Sequence, residues 1–282
     1  MSTSVGIIGC GWLGKALTEK LISQHYSVVV STQHQDKVEQ LSQLGAQVEC
    51  FSLSDSSPSI TDFTLSLFKQ SCVIIAIPPG IRQGRKDYAD KIKHIVQLAQ
   101  SGDVKQLIMI SSTAVYNGLD GDIKEDCALN LSSEKTAIIH QAEEAALKFS
   151  GETIILRLSG LVGPDRHPGK FLKSGRLLSD PDATTNLIHQ HDAVGLLFGL
   201  INAPAHSSIY NGSSHTYVAK RKYYEQAALE LGLAKPEFVE VVNTNSNNDL
   251  SVANKIINAD KIRNFLSYTF QYDDLLSWLS HS

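Results

Sequence analysis

Long apolar runs are missing from this chain of 282 residues: none approaches the roughly 20 consecutive apolar residues that span a bilayer. No membrane partner is expected. Cysteine is scarce as well, since Cys10, Cys50, Cys72 and Cys127 lie far apart and form no Cys-x-x-Cys pair. That pattern argues against a disulfide framework or a cysteine zinc site and points to a reduced, cytoplasmic protein with buried thiols. No secretory leader is expected, because glycines interrupt the first apolar stretch and no basic segment precedes it. Basic charge is not in excess. The formal net charge is −4 and the Lys and Arg residues are dispersed, which argues against nucleic acid as a partner. No metal is expected, since His189-Gln190-His191-Asp192 is dense in donors but too short to surround an ion. Repeats are absent, and the polar stretches 52–59 and 243–249 read as loops.

At 42% hydrophobic residues the chain can fill a large core. Its length suits one large domain with a smaller lobe, here 1–158 followed by 159–282 with a soft boundary. The opening run Val5-Gly6-Ile7-Ile8-Gly9-Cys10-Gly11-Trp12-Leu13-Gly14 is an apolar strand, then Gly-x-Gly-x-x-Gly, then a helical pattern through Leu13, Leu17 and Leu21. In a strand–turn–helix of this kind Gly9 allows the tight turn, Gly11 lets the backbone approach a pyrophosphate, and Gly14 lets the helix pack close. The amino end of the helix, beginning Trp12-Leu13, then faces the phosphates with its N–H groups and its positive dipole.

Apolar runs predict strands at 5–9, 26–31, 46–51, 71–77, 105–111 and 152–158. Helices are predicted near 12–24, 34–44, 60–70, 84–101 and 133–149, and in the lobe near 191–202, 217–232 and 255–265. Such alternation predicts an α/β fold, a Rossmann-type doubly wound parallel sheet with a small C-terminal substrate lobe. Right-handed crossovers favour the order 3-2-1-4-5-6. The expected cofactor set then includes Ile77 and Pro78 at the end of strand four, Ser111 at strand five and Leu158 at strand six. The second strand ends Val30-Ser31-Thr32-Gln33-His34, with no acid before Asp36. An NAD enzyme places an acid there for the ribose hydroxyls, so Ser31 and Thr32, helped by His34 or Lys37, favour NADP within an NAD(P) assignment. As plain structure, Ser31 and Thr32 would cap a helix.

The glycine motif, Ser111-Ser112-Thr113-Ala114-Val115-Tyr116, the run Arg157 to Pro164, and Asn186-Leu-Ile-His189-x-x-Asp192 together resemble the extended short-chain dehydrogenases/reductases, the NAD-dependent epimerase/dehydratase family. Leu161 to Phe171 is similar to the YeeZ-like bacterial branch of atypical members. The resemblance spans nearly the whole chain. It implies NAD(P) at the strand ends, a small-molecule substrate in a lobe formed by the C-terminal third, and a homodimer paired through helices 84–101 and 133–149. It also implies that the Ser112 hydroxyl meets a substrate carbonyl or alcohol and that Tyr116 is structural.

The family's Tyr-x-x-x-Lys pair is missing from the helix that should carry it, Ser132 to Glu144, which contains no tyrosine. If Glu143 takes the acidic place that follows the motif, Lys135 and Ile139 hold the catalytic positions; if Glu144 does, Thr136 and His140 hold them. His140 can shuttle a proton near neutrality and Lys135 supplies a cation, yet neither pair reproduces a phenol held acidic by an ammonium. Arg166, His167 and Lys170, with Arg176 nearby, place cations where an anionic substrate would bind. Asn186 and His189 join them, and Asp192 reads as a helix-start acid. An oxidoreductase or epimerase acting on a small or nucleotide-linked anionic substrate is one reading. A dinucleotide-binding sensor or interaction protein without turnover is the other.

Overall fold

A computed structural model of the protein describes residues 4–53, 65–173, 177–239 and 254–281. Arg176, the stretch 243–249 and most of 52–59 lie outside the described residues. The chain forms two compact units: Met1–Val115 with Leu131–Arg157 and Val194–Tyr210, and Tyr116–Asn130 with Leu158–Ala193 and Asn211–Ser282.

In chain order the elements begin β1 (Ser4–Ile8), α1 (Trp12–Ser23), β2 (Ser27–Thr32), α2 (Val38–Ser42), β3 (Gln47–Cys50), β4 (Cys72–Ile75), α3 (Tyr88–Ser101) and β5 (Gln106–Ser112). They continue β6 (Gly121–Ile123), α4 (Glu134–Ala146), β7 (Glu152–Leu158), β8 (Gly160–Val162), β9 (Leu178–Ser179), β10 (Leu187–His189), α5 (Gln190–Asn202) and β11 (Ser208–Gly212). Last come α6 (Lys220–Glu230), β12 (Phe238–Val239), β13 (Lys255–Ile257), α7 (Asp260–Leu266) and α8 (Leu275–Leu279).

The first unit is built on a seven-stranded sheet in the order β11-β7-β5-β4-β1-β2-β3, with β3, β2, β1, β4 and β5 paired in parallel. The expected order 3-2-1-4-5-6 is present, with β7 as the sixth strand and β11 added beyond it. Side chains alternate between sheet faces, and both faces are dry. Ile8, Val29, Val73, Ile75, Leu107, Met109 and Ile155 join one cluster with Ile92 and Ile95 of α3 and Ile138 and Ala142 of α4. Their neighbours of opposite parity, Ile7, Val28, Val30, Ile74, Ile108 and Ile154, are buried as well. A sheet covered on both sides leaves only its strand ends and edges to a ligand.

Several elements differ from the sequence expectation. The predicted helix 34–44 is a 3-10 turn, Gln35–Lys37, followed by the short α2. Of 60–70 the described part is a 3-10 turn, Ser66–Lys69. The helix predicted from 84 starts at Tyr88, because Gly80 and Gly84 stand at φ +66° and +75° and turn the chain first. Residues 255–257 are a strand rather than helix: β13 pairs with β6, and the Asn186 amide accepts from Ile257 N at 2.9 Å and donates to Lys255 O at 2.7 Å. A helical apolar period cannot reveal a backbone ladder supplied by β6, 134 residues earlier in the chain.

In the second unit β8 pairs with β10 and β9 with β12, both in parallel. Val162, Leu187, Tyr223, Ala227, Leu275 and Leu279 form its buried cluster. Asp192, fully buried in the first turn of α5, accepts from Tyr268 Oη and from the N–H groups of Gln271 and Tyr272 at 3.1, 2.8 and 2.9 Å. Its carboxylate therefore holds 268–272 in place, beyond the dipole role expected for it.

Candidate cofactor-binding site

Between β1 and α1 each glycine of Gly-x-Gly-x-x-Gly has a separate geometric reason. Gly9 stands at φ +94°, and a Cβ there would lie 2.9 Å from Ile77 Cγ2 and 3.1 Å from the Ala76 carbonyl. At Gly14 a Cβ would lie 2.6 Å from Gly9 O, so only glycine lets α1 come this close. Gly11 is the opposite case. A Cβ there would meet nothing within 4 Å, and Gly11 is also the N-cap of α1, without a side chain to occupy the first turn. Open space in front of a helix N-terminus is what a pyrophosphate needs. The loop is held from β2: Gly9 N donates to Ser31 Oγ at 3.2 Å and Cys10 N to Ser31 O at 3.1 Å. Thr32 Oγ1 accepts from His34 N at 3.1 Å.

Gly9, Gly11, Ser31, Thr32, Ile77 and Pro78 all line one cavity of 270 Å³. Phe51 and Leu53, just after β3, add an apolar wall. Toward the end of β2 the wall carries His34 and Lys37, and the loop between β4 and α3 brings Arg85, with Lys91 from α3. Lys91 is ion-paired with Asp87 at 2.5 Å. No Asp or Glu is among the described lining residues. Glycine turn, open helix end, apolar slot and cationic rim together fit a dinucleotide. Of the remaining expected cofactor residues, Leu13, Gly14 and Ser111 are buried in the first unit, Trp12 opens α1 half-buried, and Leu158 is buried in the second.

A buried polar network lies at the end of β5. The Ser111 hydroxyl donates to Glu143 Oε1 at 2.5 Å, and Arg157 donates to the same carboxylate from Nε at 3.0 Å and Nη2 at 2.6 Å. Glu143 and Arg157 are 1% and 3% exposed, so each needs the other's charge. Tyr88 donates to Ile77 O at 3.3 Å; burial and then the nearby Glu143 carboxylate push its phenol well above the ordinary range. Ser112, half-buried, accepts from Ala114 N at 3.1 Å through its Oγ, which leaves its own hydrogen to be donated elsewhere.

The model of a family described as NAD(P)H-binding matches residues 9–186. The chain belongs to that family. It is 30% identical to Protein YeeZ of Escherichia coli K12 over 275 residues, 96% of this chain and 97% of the relative, which makes it YeeZ-like. Its fold is that of UDP-glucuronic acid 4-epimerase from Bacillus cereus in complex with NAD, at a TM-score of 0.77 and 15% identity over 98% of this chain and 94% of that one. A putative NAD-dependent epimerase/dehydratase from Methylobacillus flagellatus aligns at a TM-score of 0.72 and 19% identity, over 98% and 96% of the two chains.

Within this NAD(P)H-binding fold, α4 presents Glu143 to β5 and β7 while Glu144 is exposed. Of the candidate residues on α4, Lys135 is exposed, Thr136 and Ile139 are buried, and His140 is half-buried, with no hydrogen-bond partner for Nδ1 among the described residues. Tyr116 is fully buried and donates to Asn211 Oδ1 at 2.9 Å.

The expected substrate residues lie in the second unit. Arg166 is half-buried, which lowers its pKa, and follows a tight turn through Gly163 and Asp165. Lys170 is exposed. His167 is buried, and its Nδ1 accepts from Gly169 N at 3.1 Å, capping a 3-10 turn. His189 stacks on Tyr272 with centroids 3.9 Å apart and lies edge-on to Trp278 at 5.0 Å. Burial pushes its imidazole down to about 4, against the opposing pull of Asp192. Its Nδ1 accepts from His191 N at 3.1 Å, so the neutral ring carries its hydrogen on Nε2. Asn186 gives its amide to β13, as described above. Sequence reasoning missed Arg85, Lys91, Phe51 and Leu53. The one available signal was the basic run Arg82, Arg85 and Lys86 directly after the strand expected beside the crevice.

Proposed function

We propose that this protein binds NADP(H) in the 270 Å³ cavity and exchanges a hydride with a small or nucleotide-linked anionic substrate, as an oxidoreductase or epimerase of its family. One observation carries the reading: a glycine loop open to a pyrophosphate shares a cavity with Ser31, Thr32, Lys37 and Arg85 and with no described acid. A carboxylate there would bind ribose hydroxyls and repel a 2′-phosphate, whereas hydroxyls and cations attract it. The cofactor supplies the hydride when bound. The chain's own part is to hold it: Gly11 admits the pyrophosphate, Ser31 fixes the loop through Gly9 and Cys10, and Phe51 and Leu53 shield the adenine from water. Ser112 Oγ–H donates to the substrate oxygen. The epimerase relative from Bacillus cereus and its UDP-glucuronic acid substrate class favour a nucleotide-linked compound.

A second reading is favoured by α4, which contains no tyrosine, exposes Lys135 and buries Ile139. It makes the protein a dinucleotide-responsive binder without turnover. The two separate on transfer of the reduced cofactor's C4 hydrogen to a panel of carbonyl compounds and UDP-hexuloses. Catalysis predicts transfer that falls about a hundredfold in Ser112→Ala, the typical worth of one positioned donor, with cofactor binding retained. Tight NADPH binding with no transfer to any acceptor establishes the second reading instead.

A further inference from the structure

We infer that Arg85, from the loop between β4 and α3, is the residue that selects the cofactor by gripping its 2′-phosphate together with Lys37; this rests on the NADP(H) reading above. The three Lys and Arg residues described in the cavity differ in their surroundings. Lys91 is neutralised by Asp87 at 2.5 Å, and so adds little charge to an incoming anion. Lys37 and Arg85 have no acidic partner among the described residues, and both line the cavity that holds Ser31 and Thr32. They reach it from opposite sides of the cofactor loop, Lys37 after β2 and Arg85 after β4. A 2′-phosphate carries close to two negative charges near neutrality, and a guanidinium can bind two of its oxygens at once.

The loop that presents Arg85 is specialised for doing so. Gly80, at φ +66°, accepts from Gln83 N at 2.9 Å and from Arg85 N at 3.3 Å, closing a compact turn. The arginine stem lies across Gly80: a Cβ there would stand 2.7 Å from Arg85 Cδ and 3.3 Å from its Cγ. Any side chain at position 80 would therefore push the arginine off its track. Exposed arginines usually pay conformational entropy to hold one geometry; here the turn and the bare glycine restrict the stem before any ligand arrives.

Calorimetric titration of the full chain with NADPH, NADH, 2′-AMP and 5′-AMP tests the assignment without any turnover. Wild type is expected to bind NADPH about tenfold or more tightly than NADH, and 2′-AMP more tightly than 5′-AMP. Arg85→Ala should remove most of that preference while changing NADH affinity less than about threefold, and Gly80→Ala should do the same without removing a charge. Raising salt should weaken NADPH binding more steeply in wild type than in Arg85→Ala. If Arg85→Ala weakens NADPH and NADH equally, the guanidinium sits on the adenine or the pyrophosphate and the assignment is wrong. It is equally wrong if Arg85→Ala keeps the preference and Lys37→Ala alone abolishes it. In both cases NADP(H) binding itself still stands. Wild type that shows no preference for NADPH overturns the NADP(H) reading and the assignment together.

Discussion

Single atoms decide the candidate site more than residue types do. Gly11 and Gly14 are both glycines of one motif, yet their surroundings make opposite demands. A methyl group on Gly14 would press on Gly9 O at 2.6 Å, whereas on Gly11 it would touch no protein atom within 4 Å. Gly11→Ala is therefore expected to leave the melting temperature within about a degree of wild type while reducing NADPH affinity about tenfold or more, because the only thing displaced is the ligand. Gly14→Ala should lose both binding and stability, the latter by about 1–3 kcal/mol of overpacking. Thermal melts with and without NADPH read the contrast. Equal destabilisation by the two substitutions would show that Gly11 is packed after all.

At the scale of elements, the buried Glu143–Arg157 pair joins α4 to β7 and, through Ser111, to β5. Removing one charge leaves the other uncompensated in a dry site. Glu143→Ala should accordingly cost about 3–5 kcal/mol, and Glu143→Gln somewhat less because the amide still accepts hydrogen bonds. Urea denaturation measures both; a loss under about 1 kcal/mol for Glu143→Ala would mean that water reaches Arg157. The same pair separates two acids that look equivalent in the string: Glu143 is buried against Arg157 of β7, whereas Glu144 is exposed. Only the position of Arg157 distinguishes them.

Taken as a whole, the molecule should be more sensitive to mild acid than its slight net charge suggests. His189 has its pKa held at about 4 in the folded chain against 6.5 ordinarily, and burial also lowers that of His167. As pH falls, the unfolded chain therefore takes up these protons first. Their contribution is complete above about pH 6.5, declines as pH drops toward 4, and is constant below that. Asp273 and Asp274, whose pKa values are lowered by Arg263 and Ser277 among others, act only in the more acid range below 3.8. Melting temperature followed from pH 7.5 to 4.5 should fall, with a shallower slope in His189→Gln than in wild type. Identical slopes would place the acid sensitivity elsewhere.

Local chemistry, readable in the string, determined the first thirty residues or so and the strand order: glycines impose their turns on immediate neighbours, and apolar runs of strand length bury themselves whichever partners they find. The Gly9 turn, the close packing at Gly14, Ser31 and Thr32 beside the cavity, and the 3-2-1-4-5-6 core were legible for that reason. Contacts between distant segments were not. Arg85 enters the cavity 74 residues beyond Gly11, Asn186 bonds the strand that 255–257 forms with β6, and Asp192 secures 268–272. In each case the side chain's task depends on which backbone arrives beside it, and folding sets that through the summed burial of the whole core rather than through any pattern near the residue itself.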